Sequence, residues 1–244
     1  MPGAKRLQPV RREPAAVAIA RRLTEAIMDG TLAPGTQLGE AELAAELGVS
    51  RGPLREAMQR IVQQGIAHSE PHRGVFVTTL TEDDVRDIYL ARTAVESAAC
   101  RLILRRDPQG TADRLAAVHR AMAEAARRGD PTALSAADTE LHQVLVEESG
   151  SPRLKRMAQT LFVETRMCIT ALQDKYPVPD VMVDEHAAII EAIRDGDEER
   201  LLRLVDDHMQ DAVRRLTGRP EEAVPGVPPR PEAGSEEHRC QIVR

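Results

Sequence analysis

The stretch EAELAAELGVSRGPLREAMQRIVQQG, residues 40–65, decides how the N-terminal part of the chain folds. Leu43, Ala44 and Leu47 give a helix over 40–47 one apolar face. Gly48 permits a sharp turn, and Val49 can plug the angle between two helices. Ser50 suits the N-cap of a second helix over 51–64, whose first turn tolerates Pro53. Leu54, Met58, Ile61 and Val62 then point one way, into a small core, while Arg51 and Arg55 share a different face near the helix start. A recognition helix presents its N-terminal residues to the major groove in this way, and arginine there can bond guanine bidentately or clamp a phosphate. By spacing alone, an ordinary helical hairpin with a solvated arginine pair fits as well.

The flanks extend the unit. Ala16, Ile19, Leu23 and Ile27 recur at helical spacing, and Gly30 is a stop signal. A Pro-Gly turn at 34–35 leads into a short segment, and Pro71 and Gly74 before Val75-Phe76-Val77 predict a hairpin over 67–78. Residues 1–13 are polar and basic and read as a mobile arm. From residue 81 the pattern is helical almost without interruption, with helices expected near 82–106, 110–128, 131–149, 152–175, 180–195 and 197–216. Pro, Gly and Glu dominate 217–244, which reads as a disordered tail. The fold class is therefore mainly α. A winged helix-turn-helix over 14–80 precedes an antiparallel helical bundle over 81–216.

Composition agrees. Hydrophobic residues make up 42% of the 244, but aromatics only 2%, so the core must be aliphatic and helix is favoured. The net charge of −6 at first argues against a nucleic-acid partner. It is unevenly spread: residues 1–80 hold ten Lys/Arg against eight Asp/Glu, while 81–216 hold nineteen against twenty-six. A mildly basic head on an acidic body leaves DNA affinity to the local field. Cys100, Cys168 and Cys240 lie far apart with no CxxC, which suits a reducing cytoplasm. With no long apolar run and no apolar signal region, the expectation is a cytoplasmic chain that does not enter a membrane.

Residues 17–78 resemble the winged head of the GntR superfamily. The strings that carry the likeness are Gly30-Thr31-Leu32-Ala33-Pro34-Gly35, Leu43-Ala44, Gly48-Val49-Ser50-Arg51, Arg55-Glu56-Ala57, Gly65 and Arg73-Gly74-Val75-Phe76-Val77. The resemblance implies that Arg51 and Arg55 contact bases and phosphates. It makes Gly74 the wing-tip glycine of the minor groove, with His72 and Arg73 beside it. Gly52 and Pro53 are secondary contacts. Ala41 stands where some relatives carry a DNA-contacting Arg, which leaves the operator sequence open.

The body carries a second constellation. Asp138 and His142 are four apart in the stripe Leu134, Asp138, Leu141, His142, Leu145. His186 shares a face with Ile189, Ile190 and Ile193, and His208 continues Leu201, Leu204 and Val205. Burying these groups unpaired would cost several kcal/mol. One divalent ion (Zn, Ni or Mn) would satisfy all four and keep positions for water or an effector carboxylate. Separately satisfied core histidines are the alternative. Residues 82–216 resemble the FCD ligand-binding domain of the FadR branch through Arg92-Thr93-Ala94-Val95-Glu96, Asp138-Thr139-Glu140-Leu141-His142, Glu185-His186-Ala187-Ala188-Ile189, Gly196-Asp197 and His208-Met209. In metal-binding members the ligands fall on Asp138, His142, His186 and His208. Ser151 stands where many relatives have Asn. Arg92 also points inward, either as an ion-pair partner of Glu96 one turn along or as a clamp for an effector carboxylate. His68, His119 and His238 lack such a context and read as surface side chains.

The expectation is a homodimeric repressor on a palindromic double-stranded operator, controlled by a small organic acid at the metal. A sensor in which the ion itself is the signal is the rival. A metal-dependent enzyme is a further one, though no separate base or nucleophile motif accompanies the ligands.

Overall fold

A computed structural model of the chain describes residues 13–171 and 179–218. Among these, the N-terminal part runs α1 (Ala15–Met28), α2 (Glu40–Leu47), α3 (Arg51–Gln63), β1 (Ala67–Glu70) and β2 (Gly74–Val77). The rest is helical: α4 (Glu82–Arg106), α5 (Pro108–Arg128), α6 (Pro131–Glu148), α7 (Pro152–Ala171), α8 (Pro179–Asp195) and α9 (Glu198–Thr217). The expected arm up to residue 12, the helix end at 172–175, the tail from 219, His238 and Cys240 lie outside the described residues.

Capping chemistry sets the helix limits. Thr81 and Asp84 form a capping box that starts α4. Asp107 accepts from the Gly110 amide at 2.9 Å, with Pro108 in the first turn, so α5 begins at Pro108 rather than at 110. Asp130 with Pro131 repeats the device for α6, and Asp197 caps α9. Gly48 ends α2 in the left-handed region at φ +64°, as the turn between α2 and α3 requires. Ser50 does occupy the N-cap position of α3, but its side chain makes no capping hydrogen bond.

Two hydrophobic clusters organise the chain. The first joins Leu23, Ile27, Leu38, Leu54, Ile61, Ile66 and Val77. Strands β1 and β2 pair antiparallel, with Ala67 opposite Val77 and Glu70 opposite Gly74. Residues 35–38 add a third edge: Leu38 N donates to Val75 O at 2.8 Å, and Val77 N to Thr36 O at 2.9 Å. The second cluster lies among α4–α9, around Ile103, Leu115, Met122, Leu141, Leu145, Ile193, Leu201 and Met209. Each such side chain contributes about 1.5–3 kcal/mol by leaving water. Helix α4 is the centrepiece, packed against α6, α7 and α9. Helix α7 belongs to both clusters, since its Met167 is buried with the first and its Phe162 with the second. No helix among the described residues is long and apolar enough to cross a membrane.

Candidate nucleic-acid interface and metal centre

The turn at Gly48 sets α3 across α2, leaving the outer face of α3 to solvent. Arg51, Gly52 and Arg55 are exposed and Pro53 half-buried, while Leu54, Ala57, Met58 and Ile61 are buried beneath them. Arg55 is not idle: its Nε donates to Glu40 Oε2 at 2.7 Å, from the first turn of α2. That contact uses Nε; neither Nη has a partner among the described residues.

The hairpin holds the second group of candidates. His72, Arg73 and Gly74 are all exposed at its tip. Gly74 has φ +108°, and a Cβ there would stand 3.3 Å from Gln37 Nε2, so both backbone and space favour glycine. His72 holds φ +62° without being glycine, a conformation enriched at tight tips. Arg73 pairs with Glu70 and lies 5.2 Å over the Phe76 ring. The fold thus sets two exposed basic elements, the α3 start and the hairpin tip, on one head.

The four polar groups of the body converge. Asp138, His142, His186 and His208 are all buried, and one ligand atom from each lies within 4.8 Å of all the others. His186 Nε2 is 3.2 Å from Asp138 Oδ1 and 3.2 Å from His142 Nε2, and His208 Nε2 is 3.3 Å from His142 Nε2. Every Nδ1 faces an acceptor instead. His142 donates to Glu96 Oε2 at 2.6 Å, His186 to the Met182 carbonyl at 2.7 Å and His208 to Glu185 Oε2 at 2.8 Å. Carboxylates and carbonyls can only accept, so each Nδ1 carries the proton and each Nε2 lone pair points inward. Three lone pairs and a carboxylate in one dry volume repel unless a cation stands among them.

A proton or a metal ion meets that need. Around Asp138 and its histidines, four carboxylates (Asp138, Glu96, Glu185, Asp211) face three guanidiniums (Arg92, Arg214, Arg215), leaving one negative charge that favours a cation among the ligands. Bonds of about 2.0–2.1 Å in a tetrahedral site put donors roughly 3.3 Å apart, close to three of the spacings found here, while His142 Nε2 and Asp138 Oδ1 are wider at 3.8 Å. The donor set therefore fits a divalent ion, with Glu96, Glu185 and the Met182 carbonyl fixing ring orientation. Burial raises the Glu96 carboxyl, but Arg92 and His142 outweigh it and hold it at about 2. Burial also raises Glu185, and bonds from His208 and Arg215 bring it to about 2. Burial and the neighbouring His186 lower His208 to about 4, while the bond to Asp138 overcomes burial and raises His186.

Arg92 forms the expected ion pair with Glu96. Its Nε donates to Glu96 Oε1 at 2.9 Å, its Nη1 lies 3.5 Å from Thr165 Oγ1, and its plane covers Tyr89 and Phe162 at 5.0 and 5.5 Å. Its Nη2 is the one buried side-chain nitrogen or oxygen among the described residues without a partner. Tyr89, Arg92, Asp138, His208 and Arg215 line a cavity of about 10 Å³, room for roughly one water. Sequence reasoning missed the roles of Glu96 toward His142 and of Glu185 toward His208, because each partner sits on another helix. His119 also departs from expectation: it is half-buried, with Nε2 2.8 Å from the Val183 carbonyl, and ties α5 to α8.

Residues 15–77 match the model of the bacterial regulatory proteins, gntR family, and residues 87–211 match the FCD domain. The chain is 30% identical over 183 residues to a probable D-xylose utilization operon transcriptional repressor of Paenarthrobacter nicotinovorans, covering 75% of this chain and 80% of that one. It is 26% identical over 209 residues to the gluconate operon transcriptional repressor of Bacillus subtilis (strain 168), covering 82% and 85%. The crystal structure of a GntR transcriptional regulator from Rhodococcus sp. RHA1 superposes with a TM-score of 0.73 at 28% identity, covering 84% and 99%.

Proposed function

Because this chain belongs to the gntR family of bacterial regulatory proteins and carries an FCD domain, we propose that it is a cytoplasmic, homodimeric repressor of a palindromic operator. The head over 14–80 reads DNA through Arg51 and Arg55 in the major groove and His72, Arg73 and Gly74 in the minor groove, with Gly52 and Pro53 in close approach. The body over 81–216 holds a divalent ion on Asp138, His142, His186 and His208. A small carboxylate takes an open position on the ion and the spare Nη2 of Arg92. Binding there alters the spacing of two heads whose half-sites lie about one helical turn apart, so a small shift is enough to break simultaneous contact. A coupling of about 1–3 kcal/mol makes a useful switch.

The observation that carries this reading is the convergence of three bare Nε2 atoms and a carboxylate in the body of a chain whose head exposes two arginines. The relatives are named as regulators, which supports a role without turnover. The test is fluorescence anisotropy on an operator recovered by selection from random duplexes, with small carboxylates and with chelator. Loss of binding in Arg51→Ala/Arg55→Ala, and release of the wild type by one acid only when metal is present, are expected. Full operator binding by the double variant would sink the assignment of α3.

The small cavity favours a second reading, in which the ion itself is the signal: space for about one water beside His208 leaves no room for an organic acid unless helices part. Operator release on chelation with no acid added supports that version.

A further inference from the structure

The metal centre is tight, but the head–body junction is not. A cleft of about 650 Å³ opens between the end of α3 and helices α6 and α7, within the range of small-molecule sites. Its walls are polar and unspent. Gln64 comes from the end of α3, Gln143 from α6, and Arg156 and Gln159 from α7. None of these four side chains has a hydrogen-bond or ion-pair partner among the described residues. Lys155, at the same cleft, is already committed to Glu147. The lining includes Phe162, a largely buried ring that also lies under the Arg92 guanidinium at 5.5 Å.

We propose that this cleft is a second small-molecule site, separate from the metal centre, for a small polyhydroxylated carboxylate. The chemistry selects the class. A primary amide offers both a donor and an acceptor, the complement of an alcohol, and three unpartnered amides suit a run of hydroxyls. The Arg156 guanidinium supplies a planar fork for one carboxylate. Val146, Val163 and the part of Phe162 that reaches the cleft give an apolar patch for the C–H groups of such a chain. The position gives the site a consequence. Val163, also at the cleft, packs against the head cluster, while Phe162 packs within the body cluster. A ligand seated there touches the end of the recognition helix and the body at once, so it selects one setting of the head.

Threonate, ribonate and galactonate, with the matching uncharged alditols, are titrated calorimetrically into the full chain, metal-loaded and after chelation. The same titrations use Arg156→Ala/Gln159→Ala, whose positions are exposed and outside both cores. At least one acid is expected to bind with the same affinity before and after chelation. The affinity should fall about tenfold or more for the alditol and for the variant, as for loss of a charged hydrogen bond. Metal content of the variant should equal that of the wild type. Binding that disappears on chelation and survives in the variant moves the acid to the metal centre and overturns the proposal. Absence of binding by all three acids overturns it as well.

Discussion

Glu96 divides its carboxylate between a metal-ligand candidate and a buried arginine: Oε2 accepts from His142 Nδ1 at 2.6 Å, and Oε1 from Arg92 Nε at 2.9 Å. One group therefore fixes the tautomer of His142 and neutralises Arg92. An amide cannot do both, since its NH2 would face a donor. Glu96→Gln should lower metal affinity about 10–100-fold, the usual cost of losing such a partner. It should also destabilise the fold by up to about 3–5 kcal/mol, because a buried charge loses its mate. Competition against a chromophoric chelator measures the first effect and thermal unfolding the second. Unchanged metal affinity would show that His142 does not need Glu96 to present Nε2.

Glu40 holds Arg55 by Nε and leaves its outer fork free. Releasing that hold has two consequences of opposite sign. Arg55 loses orientation, so specific binding weakens; the head loses a negative charge, so binding to any duplex strengthens. Glu40→Gln should thus reduce the ratio of operator to random-duplex affinity several-fold, whereas Arg51→Ala and Arg55→Ala each cost about 1–3 kcal/mol at a base contact. Anisotropy titrations on both duplexes over a range of salt separate the cases. An unchanged ratio in Glu40→Gln would leave the ion pair a surface ornament of about 0–1 kcal/mol.

Much of this was legible in the residues, for identifiable reasons. Asp107-Pro108 and Asp130-Pro131 punctuate helices locally, so the limits of α4 to α6 fall close to expectation; Asp107 turned out to begin α5 rather than only to end α4. The inward stripes identified Asp138, His142, His186 and His208, because burial follows helical period. Period says nothing about partners on other helices. Glu96 was legible as a mate for Arg92 one turn away, not as the acceptor for His142 from α6. The cleft at Arg156 was invisible for the same reason: it exists only where α3, α6 and α7 meet.

Glu164, on α7, packs beside Gly65 of the head, its Oε1 3.1 Å from where a Cβ there would stand. Partial burial raises its pKa, and Asp84 and Asp87 add to the rise. A carboxyl raised in the folded state binds protons more readily there than in the unfolded chain. Stability therefore falls as pH rises through and above its ordinary value near 4.5, and is regained as pH drops. Glu164→Gln removes that penalty. At neutral pH its Tm should exceed the wild type's by about a degree or two, given the solvent screening of a half-exposed group. Near pH 4 the two curves should coincide. A Tm difference independent of pH would point to packing rather than charge.

Helix α7 touches both centres of interest. On one face Phe162 lies 5.5 Å from the Arg92 guanidinium, which Glu96 links to His142; on another, Val163 and Met167 pack with the head. An ion bound at His142 would bear on Glu96 and Arg92, and Phe162 is the contact that would pass such a shift to α7. Phe162→Leu keeps an apolar side chain at a cost of roughly 1–3 kcal/mol for the space left behind, but removes the cation–π contact. Metal affinity without DNA and operator affinity without metal should each stay within about twofold of the wild type, while the factor by which metal changes operator affinity shrinks toward one. Linkage demands a reciprocal result: operator DNA must lose its effect on metal affinity by the same factor. Both can be read from one set of titrations, metal into free and DNA-bound protein. Coupling that persists undiminished in Phe162→Leu would exclude this contact as the route between body and head.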